Sequence, residues 1–139
     1  MAKKIGFYIN CISKGGAERV MIQLAHHFEK IGYKVVLITS FYMDDEYKLP
    51  DNVRRYSLEE KQDKDSRVRR NVRLIYKLRK FCIEERIDVL ISFMQEPNFR
   101  AIVATRGIET KVVVSVRNDP NKEYAGRIGR FVGKKILPI

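Results

Sequence analysis

IGFYINCISKGGAERVMIQLAHHFEKIGYKVVLIT, residues 5–39, decides the fold. It opens on an apolar run, 5–9, and closes on another, 35–39. Each is short enough for one strand and apolar on both sides, as a strand buried between helix layers must be. Between them Ala17, Val20, Met21, Leu24, Ala25, Phe28 and Ile31 recur at the i, i+3, i+4, i+7 spacing of a helix with one buried face, placed over 18–31. Gly32 supplies its stop. Strand, helix and strand on short connections make a βαβ unit, whose strands lie parallel.

The alternation continues outward. A polar, turn-rich stretch, 41–51, leads to a weak third strand at 52–58, in which only Val53 and Leu58 are clearly apolar. A charged loop, 59–65, follows. Ser66 is placed to cap a long helix, 66–86, whose inner face the spacing assigns to Val68, Val72, Ile75, Leu78 and Cys82. Then come a strand at 88–93 (DVLISF), a helix at 97–106 opened by Pro97, and a strand at 111–116 (KVVVSV) read as buried. Residues 119–139 are glycine-spotted and weakly helical. The pattern predicts one α/β domain over residues 1–139, a doubly wound, Rossmann-like parallel sheet with helices on both faces.

Composition narrows the class. At 139 residues and 45% hydrophobic, the chain has enough apolar material for a real core, which excludes a disordered, collagenous or disulfide-stapled chain. Cys11 and Cys82 stand far apart with no metal-binding spacing and read as reduced thiols. No signal peptide is visible and no apolar run approaches the ~20 residues of a membrane span, so a cytoplasmic protein is expected. His26 and His27, about 100° apart on a helix, cannot share a site, and no metal is expected.

The net charge of +11 calls for an anionic partner, and +6 of it lies in residues 54–86. The helix there carries Arg67, Arg69, Arg70, Arg73, Lys77, Arg79 and Lys80. Such a basic face is either simply solvated or a patch for an anionic membrane surface, over 67–80. Nucleic acid is not expected, because no helix-turn-helix, zinc or RNA-binding signature accompanies the charge. A receiver-like signalling domain is discounted too: Asp44 and Asp45 follow the second strand, where an acidic pair would be needed after the first.

In doubly wound sheets ligands bind beyond the carboxyl ends of the strands, which singles out loops 10–16, 94–98 and 117–121. In the first, Gly15 and Gly16 at a helix start form either a tight turn or a cradle of bare N–H groups for an anion. In the second, Glu96 and Asn98 either cap the helix, the plainer reading, or reach a ligand. In the third, Arg117, Asn118 and Asp119 offer a fixed cation with polar partners, or an Asx-type turn before Pro120.

Together GGAERVMIQLAHHFEKIGYKVVLIT, DVLISFMQEPNF and KVVVSVRNDP resemble glycosyltransferase family 4, a family of retaining enzymes with the GT-B fold, over most of the chain. The resemblance implies a two-domain transferase of bacterial polysaccharide and glycan assembly. Its N-terminal half binds a glycan or lipid-linked acceptor, its C-terminal half a nucleotide-sugar donor, and no metal or other cofactor is needed. It implies that Gly15 and Gly16 lie against the donor diphosphate or the transferred sugar, with Arg117 to Asp119 lining the cleft. Many relatives carry histidine where this chain has Arg117, which cannot act as a base. The family's Glu-x7-Glu element has no counterpart, since no two glutamates are eight positions apart. The resemblance therefore implies an incomplete N-terminal half, without its donor-binding domain, inactive alone and open to self-association through strand 111–116. The alternative is a non-catalytic nucleotide- or phosphate-binding α/β module.

Overall fold

The computed structural model describes residues 3–62 and 64–115. Five strands and three helices alternate: β1 (Lys4–Ile9), α1 (Gly16–Lys30), β2 (Lys34–Thr39), β3 (Arg54–Ser57), α2 (Arg67–Glu84), β4 (Val89–Phe93), α3 (Gln95–Ala104) and β5 (Lys111–Ser115). All strands pair in parallel, in the order β3-β2-β1-β4-β5. The chain winds outward from β1 in one direction, then returns to its other side with β4. That reversal sets the switch point of a doubly wound sheet between β1 and β4.

The two faces of the sheet are covered by different helices, as the sequence predicts. Ile5, Phe7 and Ile9 pack with Val35, Leu37 and the α1 residues Met21, Ile22 and Ala25. Tyr8, Val36, Ile38 and Leu90 pack on the other face with Leu74, Leu78, Phe81 and Cys82 of α2 and Ala101 and Ala104 of α3. Each large apolar side chain so buried contributes roughly 1.5–3 kcal/mol of transfer free energy. Burial also pushes the Cys82 thiol up to about 12, so it is a packing group rather than a nucleophile. Gly32 adopts φ +106 just past the α1 C-cap, a left-handed turn that suits glycine.

Four expectations need correction. The inner face of α2 is Leu74, Leu78, Phe81 and Cys82; Val68 and Val72 are 69% and 62% exposed. Ile31, counted in the buried stripe of α1, lies at its C-cap and is exposed. The α3 helix begins two residues before Pro97, which sits in the first turn where its missing N–H has no partner to lose. Finally β5 is not a buried strand: it pairs only with β4 among the described residues, and Val113 is 52% exposed.

Candidate functional site

At the switch point a cavity of about 250 Å³ opens beyond the ends of β1 and β4. Ile9, Phe41, Met43, Met94 and Pro97 supply its apolar wall, and Asn10, Cys11, Glu18 and Gln62 its polar groups. The α1 and α3 helices both begin here, so two sets of first-turn N–H groups frame one crevice.

The loop after β1 is held from outside. Gly15 is the N-cap of α1, in extended backbone and without a side-chain cap, and Gly16 is the first helical residue. Tyr47 braces this turn, donating its backbone N–H to the Ile12 carbonyl at 2.9 Å and its hydroxyl to the Gly15 carbonyl at 3.2 Å. Behind it Arg55 grips Glu46 with two bonds of 2.8 and 2.9 Å, and both side chains are only 13% exposed. Burial works to raise the Glu46 pKa, but the Arg55 bonds and the Ile12 N–H outweigh it and hold the carboxyl below its ordinary value.

The glycines differ in what they permit. A Cβ on Gly16 would meet nothing within 4 Å, whereas one on Gly15 would stand 2.3 Å from Oε2 of Glu18. The Glu18 carboxylate thus lies over the α1 N-terminus, where the helix dipole favours a negative group. An incoming anion would meet that carboxylate first.

On the other side of the crevice Met94, the N-cap of α3, has φ +79 and ψ 156, a conformation that costs a non-glycine residue on the order of 1–3 kcal/mol. Neither Glu96 nor Asn98 caps this helix. Glu96 is held at 3.1 Å by Arg100 and at 2.8 Å by Arg67 of α2. Burial alone would raise its pKa, but the two arginines prevail and keep it below the usual glutamate value. Asn98 is fully buried; its amide donates to the Ser115 carbonyl at 3.1 Å, tying α3 to β5, and its Oδ1 has no partner among the described residues. Gly15 and Gly16 at the start of α1, and Glu96 and Asn98 in the first turn of α3, thus stand at the same end of the sheet, but none of the four lines the crevice itself, where Glu18 and Pro97 take their places. Arg117, Asn118 and Asp119 lie outside the described residues.

Sequence reasoning missed the group on which this end of the sheet rests. Arg100 is 1% exposed and donates to Asn71 Oδ1 at 2.8 Å, Ser40 Oγ at 3.3 Å, Tyr8 Oη at 3.4 Å, Asn10 Oδ1, and Glu96. Tyr8 and Ser40 share a 2.7 Å bond in the same buried cluster. Burial pushes the Tyr8 phenol up, against the lowering influence of Arg100, so it stays protonated. One sequence signal existed: Arg100 is the one charge in the run FRAIVA, and a lone cation in an otherwise buried helix must be paired.

A parallel doubly wound sheet with a crevice at its switch point defines a Rossmann-like α/β domain, the architecture whose ligands bind beyond the carboxyl ends of the strands. The profile of Glycosyltransferase Family 4 matches residues 14–137, and the chain belongs to that family. It is 30% identical, over 98% of its length, to the Campylobacter jejuni GalNAc-α-(1->4)-GalNAc-α-(1->3)-diNAcBac-PP-undecaprenol α-1,4-N-acetyl-D-galactosaminyltransferase, of which it spans 38%. Sucrose-phosphate synthase from Thermosynechococcus elongatus superposes with a TM-score of 0.75 at 10% identity, over 99% of this chain and 40% of that one. The lipopolysaccharide outer core galactosyltransferase WaaB superposes at 0.61 and 17% identity, over 80% of this chain and 32% of that one. WaaG, a glycosyltransferase involved in lipopolysaccharide biosynthesis, gives 0.56 at 13%, over 78% and 37%. These structures share its fold, and the chain spans well under half the length of each.

Proposed function

We propose that the chain is the acceptor-side half of a retaining glycosyltransferase that moves a sugar from a nucleotide-sugar donor to a glycan or lipid-linked acceptor in cell-surface polysaccharide assembly. The observation that carries this reading is its 30% identity, along nearly the whole chain, to a transferase named for an undecaprenyl-diphosphate-linked acceptor. The crevice fits the part. Asn10, Gln62 and Glu18 offer donors and acceptors for sugar hydroxyls beside an apolar wall, while the Glu18 carboxylate repels phosphate. Of the two contacts the resemblance implies for Gly15 and Gly16, this favours the sugar over the diphosphate. The donor enters as a substrate, and no metal or other cofactor is needed on this reading.

On this reading the protein works in the cytoplasm, peripheral on the inner face of the cell membrane where a lipid-linked acceptor would be met; no described helix is long and apolar enough to cross it. On this reading residues 1–139 alone associate through β5, which pairs only with β4 among the described residues, and transfer no sugar, because a donor-binding half is also required.

Calorimetric titration of the purified chain tests the reading, with a short-prenyl diphosphate-linked N-acetylhexosamine glycan and, separately, with a uridine diphosphate sugar. The acceptor analogue is expected to bind, and Glu18→Ala to weaken it about tenfold, or ~1.4 kcal/mol. Binding of the nucleotide sugar alone would instead favour a nucleotide-binding module. Sugar transfer by the isolated chain would overturn its expected inactivity.

A further inference from the structure

Asn10 stands where the buried Arg100 cluster meets the crevice, and the cluster decides which way its amide points. Arg100 and Ser40 both donate to its Oδ1, Ser40 Oγ at 3.0 Å. A guanidinium has no acceptor, so the atom that faces Arg100 must be the oxygen, and Nδ2 is turned away. Nδ2 has no partner among the described residues, yet it is not buried: the buried side-chain atoms without one are Ser92 Oγ and Asn98 Oδ1. Because Asn10 lines the crevice, its amide group is a donor held open to it. The main chain is held as well, the Asn10 carbonyl accepting from the Ser40 N–H at 2.9 Å and the Phe41 N–H at 3.2 Å.

The rest of the lining completes a pattern. Glu18 brings a carboxylate, which can only accept, and it makes no ion pair or side-chain hydrogen bond among the described residues. Ile9, Phe41 and Pro97 are buried apolar surface, and Met43 and Met94 add thioethers that adapt to an irregular guest. A sugar hydroxyl could use either polar group but would leave that wall uncovered. An acetamido group carries an acceptor oxygen, a donor N–H and a methyl on one plane, one complement for each feature. We infer that the crevice recognises the acetamido group of a 2-acetamido sugar. Asn10 Nδ2 donates to its carbonyl oxygen, Glu18 accepts from its N–H, and its methyl packs on the apolar wall. Arg100 and Ser40 are positioning residues, which fix the Asn10 amide without touching the sugar. At about 250 Å³ the cavity falls below the ~300–1,000 Å³ of pockets that enclose drug-sized ligands, so a single sugar residue fills it.

The inference deepens the function proposed above and rests on it for the source of the sugar, the acceptor. Calorimetric titration of the chain uses two pairs of probes: a short-prenyl diphosphate N-acetylhexosamine with its hexose counterpart, and a uridine diphosphate N-acetylhexosamine with its own. In the prenyl pair the acetamido form is expected to bind about tenfold or more tightly than the hydroxyl form. The same preference in the uridine pair alone would keep the inference but assign the crevice to the donor sugar, against the acceptor-side reading. Equal binding within the prenyl pair overturns the inference and leaves that reading standing, whereas no binding of any probe overturns both. Asn10→Asp keeps an acceptor toward Arg100 and Ser40 but cannot donate to the sugar. It should lose the acetamido preference while its urea midpoint is not lowered; an unchanged preference would show that Asn10 is structural only and overturn the inference. Saturation-transfer spectra of the unaltered chain give a measurement independent of any variant. The acetyl methyl should receive the strongest saturation in the bound sugar, and dominance of the ring protons would equally overturn the assignment.

Discussion

Arg100 puts five guanidinium contacts under the crevice, reaching β1, the loop after β2, α2 and its own helix. Because the group is 1% exposed, its charge is stabilised only by that set, and Glu96 is its sole ion-pair partner among the described residues. Truncation would take a donor from the half-buried Asn10 and Asn71 and from the fully buried Ser40, and leave Glu96 held by Arg67 alone. We expect Arg100→Leu to destabilise the chain by about 3 kcal/mol or more in urea denaturation. Arg100→Lys should recover only part of that, since an ammonium keeps the charge but not the planar fork. Urea midpoints for both variants close to that of the unaltered chain would show that the cluster is dispensable. The rim position of Glu96 was legible in the sequence, because it follows from a strand-to-helix junction. The Arg100 partners come from four separate stretches of chain, and no local pattern reports a contact between residues 8, 40, 71 and 100.

At the scale of elements, periodicity placed every described strand and helix within about two residues, and on the inner face of α2 it placed Ile75, Leu78 and Cys82 correctly but Val68 and Val72 wrongly. The reason is that α2 satisfies the helical period twice. One set is Leu74, Leu78 and Cys82; the other is Val68, Val72 and Tyr76. A hydrophobic stripe on each side leaves the spacing unable to choose, and the sequence reading joined Val68 and Val72 to Leu78 and Cys82 across both arcs. Only the packing on Val36, Ile38 and Leu90 selects the buried arc. The two faces should therefore respond differently to truncation. Leu74→Ala, at a fully buried position, is expected to cost about 3 kcal/mol, with lost transfer energy and a cavity both contributing. Val68→Ser and Val72→Ser should stay within about 0.5 kcal/mol. Chemical denaturation of the three variants decides it: a large loss at either valine would mean that this face is covered in the free chain.

At the scale of the whole molecule, the strand order β3-β2-β1-β4-β5 protects the centre and, among the described residues, leaves two borders. β1 lies between β2 and β4 with residues 5–9 all buried, so the crevice stands on a fully buried central strand. β3 is a short border of four residues, two of them arginine, which discourages pairing with another chain. β5 has weaker protection. Its single charge, Lys111, sits at the end of three consecutive valines, of which Val113 is 52% exposed. An apolar parallel edge of that kind is a template for a second copy. Sedimentation velocity over a concentration series should show the average mass of the chain rising with concentration. Val113→Lys, which puts a charge in the middle of the edge, should return it to monomer. Val72→Asp, on the exposed face of α2 away from this edge, should leave the association unchanged, which assigns the association to the sheet edge. A monomer at every concentration, or association indifferent to Val113→Lys, would show that this edge is closed within the chain itself.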